Sequence, residues 1–229
     1  MPLFFDWTMV LLLPGLFLGL WAQRRVISTY RRYQNVPSSS GLTGREMAAR
    51  ILAHGGVTDV AIEATPGQLS DHYDPLRRTL RLSQPVYDSS SIAALGVAAH
   101  EAGHAIQHAR GYFPMSVRWA LLTPANLGTT IAPWLVIVGF ITGFGGHLLM
   151  DIGIGLFSAA VLFHLVTLPV EFNASRRAVQ ELQTAGVVAP SEVGAVREVL
   201  QAAGFTYVAA AAASILGLIR LLVLRRERN

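Results

Sequence analysis

The chain has 229 residues, of which 52% are hydrophobic and 14% charged. Soluble domains usually carry about 25% charged residues, so much of the surface is predicted to face lipid. The sequence contains no cysteine, which excludes disulfides and thiolate zinc sites and leaves histidine and carboxylate as the metal ligands. The net charge is +4. The arginines of the chain cluster beside apolar segments, which indicates that they orient the protein in a membrane and do not bind nucleic acid.

Four apolar stretches approach or exceed the roughly 20 residues that a helix needs to cross a bilayer. They cover about residues 3–22, 119–144, 148–170 and 205–224. Positive charge follows the first stretch rather than preceding it, which is typical of a retained anchor and not of a cleaved signal peptide. The fourth contains Arg220, which is costly in a membrane unless its head reaches the polar surface.

Four crossings would place residues 24–118 and 171–204 on one side of the membrane. These segments hold 14 of the 18 arginines, and the positive-inside rule makes their side cytoplasmic. Arg225, Arg226 and Arg228 would then lie outside, unless the fourth stretch only lies on the surface or re-enters it.

Short helices and strands are predicted in the first polar segment. Thr43 and Glu46 form a capping box for a helix that Gly55 and Gly56 end. Residues 59–65 and 79–83 alternate with period two, so they predict a sheet of two or three strands. The second of these strands is a candidate edge strand for an extended peptide.

The next predicted helix, from about Ser90 to Arg110, carries the motif His-Glu-Ala-Gly-His at residues 100–104. Positions i and i+4 lie on one helical face, so His100 and His104 can reach one ion at about 2.1 Å. Glu101 can then act as general base toward a metal-activated water. The plain alternative is an exposed helix with two chance histidines. However, two histidines and a glutamate in apolar surroundings are energetically costly unless a metal or partner neutralises them.

Catalytic zinc usually has three protein ligands and one open position. His108 lies about 12 Å beyond His100 along a straight helix, so it is interpreted as structural. Glu171 follows the third apolar stretch on the same membrane side and is the preferred third ligand. It is predicted to open a helix over residues 171–185, so an alternative role is to interact with that helix's dipole.

The assembled motifs resemble the neutral zinc metallopeptidases of bacterial membranes, the YugP-like group, and are similar to HtpX-type and CAAX-prenyl endopeptidases. The matching stretches are residues 69–75, 80–83, 91–107 and 168–178. The resemblance implies a protein or peptide substrate, membrane proteins among them, one Zn²⁺ ion, His100, His104 and Glu171 as ligands, and Glu101 as base. It also implies a multi-pass protein of the bacterial inner membrane with a cytoplasmic site.

One position departs from the endopeptidase pattern, in which an Asp follows the ligand Glu by four residues. Here that residue is Ser175, so another group must orient the histidine. Asp71, Asp74 and Asn173 are the candidates.

Other polar residues have plain structural roles as the alternative to a functional one. His72 and Tyr73, in a predicted loop, are weak candidates for substrate binding or oxyanion stabilisation. His147, Asp151 and His164 lie in or near the membrane hairpin and raise a transport hypothesis, although the first two are predicted at the outer turn.

The sequence therefore predicts a mainly α integral membrane protein with about four transmembrane helices and a small α+β zincin-like region. Its function is predicted as a zinc-dependent endopeptidase, with a non-catalytic, metal-stabilised scaffold or adaptor as the alternative. The predicted regions are 1–23 (anchor), 24–118 (catalytic region), 119–170 (transmembrane hairpin), 171–204 (third-ligand helix and helical hairpin) and 205–229 (membrane helix and basic tail).

Overall fold

The computed structural model describes residues 6–142 and 146–227. The chain divides into two compact units. Unit 1 comprises Met1–Gln23, Phe113–Pro169 and Thr206–Asn229, and unit 2 comprises Arg24–Tyr112 and Val170–Phe205. The predicted ends at Leu3 and Phe144, the turn residue Gly145 and the tail residue Arg228 lie outside the described residues.

Four helices in the described part of the chain are long and apolar enough to cross a membrane. The first is a 3-10 turn, Trp7–Leu12, that continues into α1. The long helices are α1 (Leu13–Tyr33), α5 (Phe113–Ile141), α6 (Gly146–Thr184) and α7 (Val193–Arg226). The prediction of a mainly α protein with four candidate membrane helices is confirmed.

Two predicted helix boundaries are wrong, because α6 and α7 each run unbroken through them. Glu171 lies well inside α6, so it does not open a helix, and its proposed role at a helix N-terminus is excluded. The apolar stretch predicted to begin at Phe205 likewise continues a helix that starts at Val193. The predictions followed changes in polarity, but a helix propagates through such changes unless the backbone itself is interrupted.

Small residues let the membrane helices of unit 1 approach closely. A Cβ added at Gly15 would lie 3.0 Å from the Cα of Ala213, so α1 and α7 meet backbone to backbone there. Gly128 contacts the carbonyl of Leu156 on α6 in the same way. Small residues at such contacts are typical of helix packing in membranes.

Unit 2 contains a three-stranded sheet in the order β1–β3–β2. The strands are β1 (Ala61–Thr65), β2 (His72–Asp74) and β3 (Thr79–Ser83). β1 and β3 were predicted, but β2 was interpreted as a loop because three residues are too few to show an alternation. β3 pairs with both neighbours and is the central strand, so the prediction that residues 79–83 form an edge is wrong.

The remaining helices of unit 2 are α2 (Gly44–His54), the single turn α3 (Gln84–Tyr87) and α4 (Ile92–Ala109). The capping box of Thr43 and Glu46 at the start of α2 is present as predicted. The core of unit 2 joins α2, β3 and α4 through fully buried side chains. They include Met47, Ile51, Leu80, Leu82, Leu95 and Ile106. This core packs against α4, which carries the motif.

Candidate metal centre

The motif lies on α4, whose first turn is capped by Ser91. The Ser91 hydroxyl accepts a hydrogen bond from the backbone N–H of Ala94. His100 and His104 follow on one face of the helix, as their spacing predicts. Their ring centroids are 4.7 Å apart, with the rings nearly perpendicular. The two imidazoles therefore project toward a common point.

A close contact between α4 and α6 brings a carboxylate to that point. Gly103 lies within the motif, and a Cβ added there would come 2.8 Å from the carbonyl oxygen of Ala174 on α6. Ala174 is three residues after Glu171, on the same helical face. The absence of a side chain at Gly103 thus lets α6 approach until Glu171 reaches the two histidines.

His100, His104 and Glu171 form a group that can hold a metal ion, with ligand atoms within 4.8 Å of one another. One carboxylate oxygen, Oε2 of Glu171, lies 3.1 Å from His100 Nε2 and 3.4 Å from His104 Nε2. The Glu171 side chain is 2% exposed, and those of His100 and His104 are 12% and 9% exposed. Burial makes this group costly unless a cation or protons neutralise it.

Hydrogen bonds around Gln107 establish which nitrogen of His104 faces the centre. The Gln107 amide nitrogen donates to the carbonyl of Val170 at 2.8 Å and to Asn173 Oδ1 at 2.9 Å. Arg177 Nε, which can only donate, also binds that Asn173 oxygen. Gln107 Oε1 must therefore accept from His104 Nδ1, at 3.0 Å.

That assignment places the proton of His104 on Nδ1 and leaves the Nε2 lone pair directed at Glu171. Neutral imidazole with a free Nε2 is the form that binds a metal, and a bond to the other nitrogen is what usually orients such a ligand. Two such lone pairs and a carboxylate oxygen are all acceptors, so the chemistry of this donor set fits a divalent cation. Zinc accepts this combination of imidazole and carboxylate.

Ser175, four residues after Glu171, supplies a partner for His100. Its hydroxyl oxygen lies 3.2 Å from His100 Nδ1. Asp71 instead accepts hydrogen bonds from the backbone and side chain of Ser83, and Asp74 accepts from the backbone N–H groups of Leu76 and Arg77. Of the three earlier candidates, only Asn173 touches the network, through Gln107.

Burial sets the electrostatics of the two carboxylates. Glu101 is 9% exposed, and its burial raises the pKa to about 7, with the His100 charge acting in the opposite direction. Burial also acts to raise the pKa of Glu171. When no metal is bound and the two imidazoles carry protons on Nε2, hydrogen bonds from His100 and His104 outweigh burial and hold that pKa below its usual range. The two carboxylates therefore have environments that separate their proton affinities.

Three other residues singled out in the sequence, His72, Tyr73 and His108, are not members of this group of ligands. His108 Nδ1 and the Tyr73 hydroxyl form a hydrogen bond of 2.8 Å, beside a cavity of about 360 Å³ that both residues line. His72 is exposed, and its Nδ1 bonds the carbonyl of Ser70. His72 and Tyr73 are part of the edge strand β2.

Gln107 was not identified in the sequence as a residue of the site. Its spacing of three residues from His104 places it on the same helical face. A polar residue there, in an otherwise small and apolar helix, was the available signal. Its partners on α6 were not visible from spacing, because they come from a segment more than sixty residues away.

A helical membrane protein with a His-Glu-x-x-His helix and a carboxylate delivered by a second helix has the architecture of a membrane metallopeptidase. Comparison with known proteins agrees with that class. Residues 8–226 match the family described as "Putative neutral zinc metallopeptidase", and the chain belongs to this family. It is also 46% identical over 214 residues to "Putative membrane protease YugP" of Bacillus subtilis (strain 168), covering 93% of this chain and 94% of that protein. No solved structure gives a significant match.

Proposed function

We propose that this protein is a zinc-dependent endopeptidase integral to the bacterial inner membrane. The observation that carries the proposal is the convergence of two imidazole Nε2 atoms and a buried carboxylate oxygen, next to a second buried carboxylate, Glu101. His100, His104 and Glu171 are its metal ligands, one Zn²⁺ ion is its cofactor, and Glu101 is its base. Membership in the family and the named membrane protease of B. subtilis support the same reaction.

A zinc ion held by these ligands supplies Lewis-acid chemistry, polarising a substrate carbonyl and making a water more acidic. Glu101 accepts the proton from the attacking water and then delivers it to the leaving amine. The raised pKa of Glu101 suits a group that must both take and return a proton near neutral pH. Ser175 and Gln107 hold the imidazoles by their Nδ1 atoms, so that both Nε2 lone pairs stay directed at the centre.

The substrate is a protein or peptide, membrane proteins among them, bound in extended form beside β2. This strand pairs only with β3 among the described residues, so its other edge offers backbone groups to an added strand. The charge of Asp71, just before β2, acts to raise the pKa of Glu101, and that of His72 acts to lower it, so the start of β2 lies within electrostatic reach of the base. His72 and Tyr73 are thus candidate substrate contacts.

We assign the active site to the cytoplasmic side of the membrane. Residues 24–118 and 171–204 hold 14 of the 18 arginines, and such loops stay in the cytoplasm under the positive-inside rule. Two crossings between His104 and Glu171 would leave both residues on the same side of the membrane.

Glu101→Gln in the full chain, reconstituted in lipid, tests the proposal. The amide keeps the shape of the side chain but cannot act as base, so peptide cleavage should fall by roughly 10²- to 10⁴-fold while zinc content and fold are unchanged. Glu63→Gln, an exposed change on β1, is the control and should retain full activity. Full activity in Glu101→Gln would overturn the mechanism. A closed four-ligand metal shell with no cleavage by the wild type would instead support the scaffold alternative.

A further inference from the structure

A groove of about 840 Å³ lies between α6 and α7 within unit 2. We call it the α6–α7 groove and define it by six lining residues, three from each helix. They are Phe172, Arg176 and Gln180 of α6, and Arg197, Gln201 and Phe205 of α7. Each set is spaced by four residues, so each forms a row along one helical face.

The charge of the groove is positive. Arg176 and Arg197 are exposed, and neither has a hydrogen-bond or ion-pair partner among the residues that the structure describes. No Asp or Glu is among the groove's described lining residues. A third guanidinium, that of Arg25 on α1, lies 5.2 Å from the ring centroid of Phe205. Two unpaired guanidinium groups with amide donors between them are suited to an anion with several oxygen acceptors.

The other end of the groove is aromatic. Phe172 is 46% exposed and Phe205 is 36% exposed, and the Phe172 ring would lie 3.2 Å from a Cβ added at Gly204. Phe172 lies two residues after the apolar stretch 148–170, and Phe205 is the first residue of the apolar stretch 205–224. Aromatic rings in such positions are typical of the membrane–water boundary.

The groove therefore changes from apolar to cationic over a short distance away from the membrane. Arg176 lies one turn beyond Phe172 on α6, about 6 Å along the axis. An anionic phospholipid has this same order of groups, with acyl chains, then phosphate, then headgroup hydroxyls. An acidic peptide from solution would use the arginines, but the order of phenyl rings and then basic groups along the groove does not match a uniformly polar ligand. Basic pockets at helix ends on the cytoplasmic side recognise lipid headgroups in this manner.

We propose that the α6–α7 groove is a binding site for the headgroup of an anionic phospholipid. Arg176 and Arg197 bind the phosphate, Gln180 and Gln201 donate to headgroup oxygens, and the two phenyl rings contact the upper acyl chains. The proposal does not depend on peptidase activity, because it concerns binding alone.

The test measures binding of fluorescent phosphatidylglycerol to the full chain in neutral detergent micelles, with fluorescent phosphatidylcholine as the reference lipid. The groove variant is Arg176→Gln/Arg197→Gln. The control is Arg50→Gln/Arg77→Gln, which removes the same charge from two exposed sites of unit 2 outside the groove. Ser175 is left unchanged because its hydroxyl contacts His100.

The groove variant should bind phosphatidylglycerol roughly 30-fold more weakly, since each basic residue contributes about fivefold at an anionic lipid surface. The control should stay within about twofold of wild type, and wild type should prefer phosphatidylglycerol over phosphatidylcholine. Gln201→Glu, which repels the phosphate without removing an arginine, should weaken binding in the same direction. Circular dichroism and thermal unfolding compare the fold of each variant with wild type.

Unchanged binding in both the groove variant and Gln201→Glu would overturn the proposal. An equal loss in the control would also overturn it, by showing a general effect of charge. Displacement of the lipid probe by millimolar inorganic phosphate would assign the groove to free phosphate. A polyglutamate peptide could instead bind wild type but not the groove variant. If the groove variant still bound the lipid probe, that result would assign the α6–α7 groove to an acidic peptide.

Discussion

Two ion pairs of unit 1 differ in kind from the buried candidate metal-binding group of unit 2, although unit 2 also contains pairs such as Arg81 with Glu63. In unit 1, Arg220 binds Asp6 at 3.1 Å, and Arg225 binds both oxygens of Asp151 at 2.8 and 3.1 Å. In unit 2, His100, His104 and Glu171 converge as a group of three acceptors. A pair of opposite charges is complete by itself, whereas a group of acceptors needs a cation.

This difference separates structural polar groups from functional ones. Arg220 was expected to need the membrane surface, but its partner Asp6 explains how it is accommodated. Asp151, one of the residues behind the transport hypothesis, is likewise explained by its pairing with Arg225. In this chain, a charged residue in a membrane helix is therefore a weaker indication of function than a group of buried hydrogen-bond acceptors that face one another.

Apart from changes to the proposed ligands and base, the largest effect is expected where α4 and α6 meet. In Gly103→Ala the added methyl would lie 2.8 Å from the Ala174 carbonyl, so α6 must move and carry Glu171 with it. Peptide cleavage should fall by about 100-fold, the size expected for a misplacement of roughly 1 Å, and zinc affinity should fall too. Gly96→Ala on the same helix is the matched control, because its methyl would meet Val196 at an ordinary 3.6 Å. Equal behaviour of the two variants would show that the close contact does not position the site.

The next effect concerns the hydrogen bond to His100. Ser175→Ala removes the partner of Nδ1 and should weaken zinc binding by about 10- to 100-fold, the usual cost of losing such a contact. Ser175→Asp should keep or strengthen zinc binding, since a carboxylate accepts the same proton. Ser158→Ala on α6, where the hydroxyl bonds only its own helix at Ile154, is the control. Chelator competition measures all three, and a loss in Ser158→Ala equal to that in Ser175→Ala would contradict this role.

A smaller effect, on stability alone, is expected in unit 1. Asp6→Asn leaves Arg220 without its counter-ion and should lower the free energy of unfolding by about 1.5 kcal/mol, typical of a hydrogen bond to a charged group. Zinc affinity should not change, because no metal-binding group is involved. Unfolding in mixed detergent micelles gives the first quantity and chelator competition the second. Weaker zinc binding in Asp6→Asn would contradict the view that the Asp6–Arg220 pair is purely structural.

The smallest effect is expected at the exposed pair of Asp151 and Arg225, whose side chains are 49% and 30% exposed. Asp151→Asn should leave the free energy of unfolding nearly unchanged, as is usual for surface ion pairs, and should leave cleavage unaltered. The same unfolding and cleavage measurements apply. Reduced cleavage without reduced stability would give Asp151 a functional role that its pairing does not indicate.

Local patterns allowed much of the fold to be predicted from the sequence. Four apolar stretches, the capping box at Thr43 and the strand pattern of residues 79–83 each depend on neighbours within a few positions. The continuation of α6 past Glu171 and the three-residue strand β2 were missed. Both depend on contacts with distant segments, which no local pattern records.

The candidate site shows the same limit. The spacing of His100 and His104 on one helix was sufficient to predict that they face a common point. Glu171 was chosen by its place along the chain, and its approach depends on the absence of a side chain at Gly103. The roles of Ser175 and Gln107 became visible only once α6 lay against α4, because each joins residues that are far apart in sequence.

The zinc affinity of Glu171→Ala compared with wild type tests the central claim most directly. Glu181→Ala, further along α6, is the control, since Glu181 bonds His54 instead. If His100, His104 and Glu171 share one ion, Glu171→Ala should bind zinc more than about 100-fold more weakly than wild type. This loss exceeds the cost of removing a hydrogen bond to a ligand. Glu181→Ala should bind zinc as wild type does. Wild-type zinc content and affinity in Glu171→Ala would contradict the account and move the third ligand elsewhere.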